Sequence, residues 1–106
     1  MYSYEDIESR SISKNEMVVN YTDAMELLYI YEMMSIQVLG WEGWLLLPDG
    51  AKTHSQKHQG TCDLSSLPLT SAYSLAKSTM MQAHTEDEAI PEVGGAKLYF
   101  CVAVRK

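Results

Sequence analysis

His54, His58 and Cys62 stand four residues apart, within the stretch Gly40 to Ser65 where aromatic side chains, turn residues and potential proton-transfer or metal-binding groups occur together. On a helix that spacing would align three good zinc ligands along one face. Three features argue against such a site. Gly60 and Thr61 interrupt the segment, no fourth ligand has a matching spacing, and His-x-x-x-His without a neighbouring Glu lacks the base of a metalloprotease. A Cys-His nucleophilic pair would have to use Cys62, which has no identifiable orienting acid, or Cys101, which lies in an apolar run where a thiol is inert. The glycines are isolated turns and one pair, so no phosphate loop is present. The sequence therefore predicts no catalytic residue, no metal site and no cofactor.

Two other clusters have recognition chemistry. Trp41 and Trp44 are three apart, and on a strand they point to opposite faces, one into a core and one toward solvent, where an amphipathic ring anchors interfaces. Glu86, Asp87 and Glu88, with Glu92 beyond them, form an acidic cluster that reads first as a solvated loop and second as a contact for a basic partner. The whole chain shares that sign, with 14 acidic against 8 basic residues and a net charge of −6. This balance disfavours direct binding to nucleic acid, which needs clustered Lys and Arg.

The elements that position these residues come from length and pattern. A chain of 106 residues, 46% hydrophobic and 21% charged, is one domain, 1–106, with one modest core. No apolar run approaches the roughly 18 residues of a membrane span, and the start lacks a signal-peptide pattern, so a cytoplasmic protein is expected. Residues 1–20 are mixed in charge and read as less ordered, with Tyr4, Ile7 and Ile12 able to anchor a short element and Met17 to Val19 a brief edge strand. Thr22 or Asp23 opens a helix, Asp23 and Glu26 having nearly capping-box spacing. Ala24, Leu27, Leu28, Tyr31, Met34, Ser35 and Val38 make its inward stripe, while Met25, Tyr29, Glu32 and Met33 form a second face unusually apolar for solvent.

Trp41 to Leu47 reads as a strand, turned back at Pro48-Asp49-Gly50 into a short polar arm over Ala51 to Ser55. A second helix starts at Thr70 or Ser71 and reaches Ala83 or beyond, with Ala72, Leu75, Ala76, Thr79, Met80 and Ala83 inward and Tyr73 and Lys77 displaced. Thr85 to Glu88 should fray, because acidic groups at a helix C-terminus oppose its dipole. Ala96 to Val104 is a central strand beside Trp41 to Leu47. The fold class is α+β, a small antiparallel sheet with two main helices packed on one face.

On the motifs G-W-E-G-W-L-L-L-P-D-G, T-H-S-Q-K-H-Q-G-T-C-D-L-S, S-A-Y at a helix start and L-Y-F-C in the last strand, the region from Val38 to Val104 resembles small bacterial immunity proteins. These are antidotes encoded beside polymorphic toxins, including those of contact-dependent growth inhibition. The resemblance implies a non-enzymatic protein, monomeric or weakly dimeric, that binds a cognate toxin domain, commonly a basic nuclease, and blocks its active site or substrate access. It implies Tyr29, Trp44 and Tyr73 as buried anchors of that contact, with Asp49, Asp63, Glu86, Asp87 and Glu88 meeting toxin Lys or Arg. A regulatory or structural subunit of another complex, with the same acidic surface, is the alternative reading.

Overall fold

Alternation along one strand sets the layering: Val38, Trp41, Gly43 and Leu45 are buried, while Glu42, Trp44 and Leu46 between them are half-buried. A computed structural model of the chain describes residues 3–60 and 63–105. In chain order the elements are α1 (Tyr4–Ser9), β1 (Val18–Val19), α2 (Tyr21–Met33), β2 (Val38–Leu46), β3 (Lys52–Gln59), α3 (Leu69–Ala89) and β4 (Lys97–Val104), with a 3-10 turn at Leu64–Ser66. The strands form one antiparallel sheet in the order β1-β4-β2-β3. The α+β class, the antiparallel sheet and the central position of the last strand all agree with the sequence reading.

Inward residues of β2 and β4, among them Trp41, Leu45, Leu98, Phe100 and Val102, join Ala24, Leu27, Leu28 and Tyr31 of α2 and Ala72, Ala76, Met80 and Ala83 of α3 in one core. Phe100 is fully buried and lies edge-on to Trp41 at a centroid distance of 5.4 Å. The small side chains of α3 let the helix approach the sheet closely. Burying these apolar groups is the main stabilising contribution, on the order of 2 kcal/mol for each large side chain.

The N-terminal region is more structured than its mixed charge suggested. Ser3 and Asp6 cap α1 reciprocally, Ile7 is fully buried, and Val18 and Val19 form the expected edge strand, opposite Cys101 and Phe100. Arg10 grips the buried Asp23 with two bonds of 2.8 and 3.0 Å, which ties α1 to the first turn of α2. Asp23 is therefore a bonded anchor and not the start of a helix. Asn20 caps α2 instead, its side chain accepting from the Asp23 N–H at 2.8 Å.

The predicted stripe of α2 overruns its end. Ser35 adopts a left-handed φ of 56°, the Ile36 N–H bonds back to the Tyr31 carbonyl at 2.9 Å, and the chain leaves the helix there. Met34 is consequently exposed, and Val38 reaches the core from β2. At its other end α3 corrects the expectation in the opposite direction: it begins after Pro68 without a side-chain cap and stays helical through Thr85 to Glu88. His84 pairs with Glu88 at 2.6 Å and Gln82 donates to Glu86 at 3.2 Å. These local partners offset the repulsion between the carboxylates and the helix dipole.

The β2–β3 turn forms as expected at Pro48, Asp49 and Gly50, with Gly50 at φ 90° and the Ala51 N–H donating to Asp49. Its return arm, however, is eight residues long and irregular. Trp44 pairs with His54 but Glu42 pairs with Gln59, so two steps on β2 oppose five on β3 and three extra residues form a bulge.

A candidate partner-binding surface and a buried cleft

The helices α2 and α3 cover one side of the sheet, and the opposite side carries Glu42, Trp44 and Leu46 of β2, Tyr99, Cys101 and Ala103 of β4, and His54 of β3, with the N-terminal segment against part of it, where Lys52 Nζ donates to the Ile12 carbonyl at 2.8 Å. Polar residues normally dominate the solvent face of an antiparallel sheet. Here Trp44, Leu46, Tyr99 and Cys101 are half-buried. Trp44 is held in place: its indole N–H donates to Glu42 Oε1 at 3.1 Å and its ring lies 4.6 Å from that of His54. His54 Nδ1 in turn faces Glu42 Oε2 at 3.9 Å. A Trp fixed in this way loses little freedom on binding, which is the property of an interface anchor.

Beside it, Glu16, Glu42 and Cys101 bring one donor atom each to within 4.8 Å of one another. Burial, together with the Glu16 and Glu42 carboxylates, pushes the Cys101 thiol up to about 12. A thiol held protonated in this way is a poor nucleophile.

The bulge of β3 builds a second region on the helix side. Ser55, 2% exposed, accepts from the His58 N–H at 2.9 Å and donates to Glu92 Oε1 at 2.6 Å. The same carboxylate accepts from the N–H groups of Gln56 and Lys57 at 2.9 and 3.3 Å. Burial pushes the Glu92 carboxyl up, but the Ser55 hydroxyl and the two amides outweigh it, leaving the group below the usual carboxylate range. Gly43 makes room for the bulge: a Cβ there would run into the His58 carbonyl. Gln59 bridges the gap by donating to the carbonyls of Gly43 and Ser55.

Held by these contacts, His58 is 4% exposed and lines a cleft of about 190 Å³ against α3, with Trp41, Thr79 and Glu86. Trp41 donates its indole N–H to Thr79 Oγ1 at 2.9 Å, so the inward tryptophan is fixed too. The sequence reading places Glu92 only in the acidic cluster, and it gives Ser55 and the half-buried Tyr99 no functional role. The one local signal is Gly43 inside an otherwise apolar strand, which is where a bulge or close backbone approach is expected.

Compared with known proteins, the chain matches no family model, no curated protein and no solved structure.

The residues suggested from sequence do not form one patch. Trp44 lies on the sheet face away from α2 and α3. Tyr29, 43% exposed, lies on α2 over a small depression that Tyr73 and Lys77 also line. Tyr73 itself is only 3% exposed and its hydroxyl donates to the Ile36 carbonyl, so it belongs to the core and not to the displaced face of α3. Asp49 serves the hairpin turn, and Asp63 caps the 3-10 turn. The Ser65 hydroxyl and N–H hold the Asp63 carboxyl below its ordinary value, with Arg105 adding to the effect.

Glu86, Asp87 and Glu88 leave α3 in three directions. Glu86 faces His58 at 3.9 Å, Asp87 accepts from the Glu92 N–H at 3.4 Å and Glu88 holds His84. His54 and His58 lie on opposite sides of the sheet and cannot share a metal ion, and Cys62 lies outside the described residues. No helix among the described residues is long and apolar enough to cross a membrane.

Proposed function

We propose that this chain is a cytoplasmic, non-enzymatic binding protein of the immunity type, which neutralises a cognate basic toxin domain by covering its active site or substrate path. The observation that supports this reading is the sheet face away from α2 and α3, where Trp44 is pinned by Glu42 and His54 and flanked by Tyr99 and Leu46, beside the part of that face that the N-terminal segment covers. The net charge of −6 supplies steering toward a basic partner. On this reading Trp44 and Tyr99 provide affinity, and the carboxylates provide on-rate and selectivity. Glu86 and Glu88, both largely exposed, contribute to the long-range field.

The test is co-expression with the polypeptide encoded immediately upstream, with only this protein tagged. Capture of the upstream C-terminal domain and rescue of cells from its toxicity are expected, and Trp44→Ala should lose both while remaining folded. Neither capture nor rescue by the unaltered chain would overturn the reading.

A further inference from the structure

His58 Nε2 is buried and has no hydrogen-bond partner in the structure. Buried ring nitrogens ordinarily have one, so this atom marks a place where a donor belongs. The other nitrogen, Nδ1, faces Glu86 Oε2 at 3.9 Å, too far for a hydrogen bond but close enough to favour the proton on Nδ1. Nε2 is then an acceptor left without a donor, on a ring that lines the adjoining cleft.

Glu86 is oriented for the same purpose, since Gln82 holds its Oε1 at 3.2 Å and leaves Oε2 toward His58. Trp41, Leu64 and Leu75 supply apolar wall. At about 190 Å³ the cleft falls below the roughly 300 Å³ at which pockets for drug-sized ligands begin, so it suits a single side-chain-sized group. An acceptor nitrogen, a carboxylate beside it and apolar walls complement a cationic head with several N–H donors on an apolar stem. Lys57 also lines the cleft, but it is exposed and its long stem can carry the ammonium into solvent.

We propose that the cleft between the β3 bulge and α3 receives one alkylguanidinium or alkylammonium group, carried on an Arg or Lys side chain of another polypeptide or on a free small cation. One N–H meets His58 Nε2, and another N–H together with the positive charge meets Glu86. The proposal is independent of the toxin-binding reading, because it concerns the opposite side of the sheet and its probes are small molecules.

The test is a titration of ¹⁵N-histidine-labelled protein, followed by NMR at the His58 Nε2 resonance. The probes are n-butylguanidinium, the peptide acetyl-Gly-Arg-Gly-amide and, as a neutral control of similar size, pentanamide. Both cations should shift the resonance saturably and pentanamide should not. Glu86→Gln keeps a polar group at an exposed site and should leave the amide spectrum folded while weakening both cations at least tenfold. Tighter binding of the peptide would identify a polypeptide side chain as the occupant, and tighter binding of butylguanidinium a free cation. An unmoved His58 resonance with both cations, equal binding of pentanamide, or unchanged affinity in the folded Glu86→Gln protein would overturn the proposal.

Discussion

His54 and His58 lie four residues apart on one strand, yet the first has 57% of its side chain exposed beside Trp44 and the second 3% beneath α3. A regular strand would place residues four apart on the same side. The three extra residues of the bulge break that rule and divide the chemistry of β3 between an aromatic face and a cleft beneath α3. The two tryptophans repeat the contrast from the neighbouring strand: Trp41 donates inward to Thr79, and Trp44 donates along the outer face to Glu42. Burial makes one member of each pair a determinant of stability and leaves the other partly exposed.

The strongest way to test this division is to truncate the tryptophans separately. Trp41→Ala should cost about 4 kcal/mol, because it empties a core position against Phe100, whereas Trp44→Ala should cost about 1 kcal/mol and act mainly on partner capture. Denaturant midpoints of the two variants check this, and equal losses would dissolve the distinction. Gly43→Ala comes next. Its methyl meets the His58 carbonyl, so about 3 kcal/mol of destabilisation is expected, and changed His58 but not His54 resonances should accompany it.

Removing the Arg10 grip on Asp23 attacks neither face directly and serves as a control. Arg10→Ala should cost roughly 2 kcal/mol by leaving a buried carboxylate poorly compensated, with both histidine signals retained.

Much of this division is visible in the residue order. Alternation from Trp41 to Leu47 assigns the two tryptophans to opposite faces, and Pro48-Asp49-Gly50 fixes the turn, because strand period and turn chemistry are local properties. The alternating residues of β4 also identify a central strand. The return arm is less legible, since Lys52 to Gln59 contains no apolar periodicity and owes its shape to Glu92, more than thirty residues away. The end of α3 shows the same limit: local rules predict fraying at Glu86 to Glu88, and side-chain partners such as His84 reverse the outcome. Tyr73 looks displaced from the inward stripe because its hydrogen-bond acceptor, the Ile36 carbonyl, belongs to a distant loop.

Two weaker perturbations separate the faces by pH. Because the Glu92 carboxyl is held below its ordinary value, its contribution is present above the unfolded pKa, near 4.5, and is lost as pH falls through the lower folded value. Glu92→Gln should therefore cost about 1 kcal/mol near neutrality and reduce the acid sensitivity of the cleft, as followed by urea denaturation from pH 3 to 7. The Cys101 thiol is raised from 9.0 to about 12, so its contribution is complete below pH 9 and declines as the unfolded chain ionises between those values. Tyr31, also raised by burial, reinforces this loss on the alkaline side. Cys101→Ala should make the decline from pH 9 to 11 shallower, an effect small enough to need paired denaturation curves.

The phase slip in β3 also bears on how this molecule can change over generations. In an uninterrupted strand, inserting or deleting one residue would exchange the two sides of everything beyond it. Here Gly43, Ser55, Gln59 and Glu92 hold the slip at a fixed place, so His54 and His58 need not drift together. On the proposed immunity reading, the outer surface is thereby free to diversify with a changing partner while the inner cleft keeps its shape.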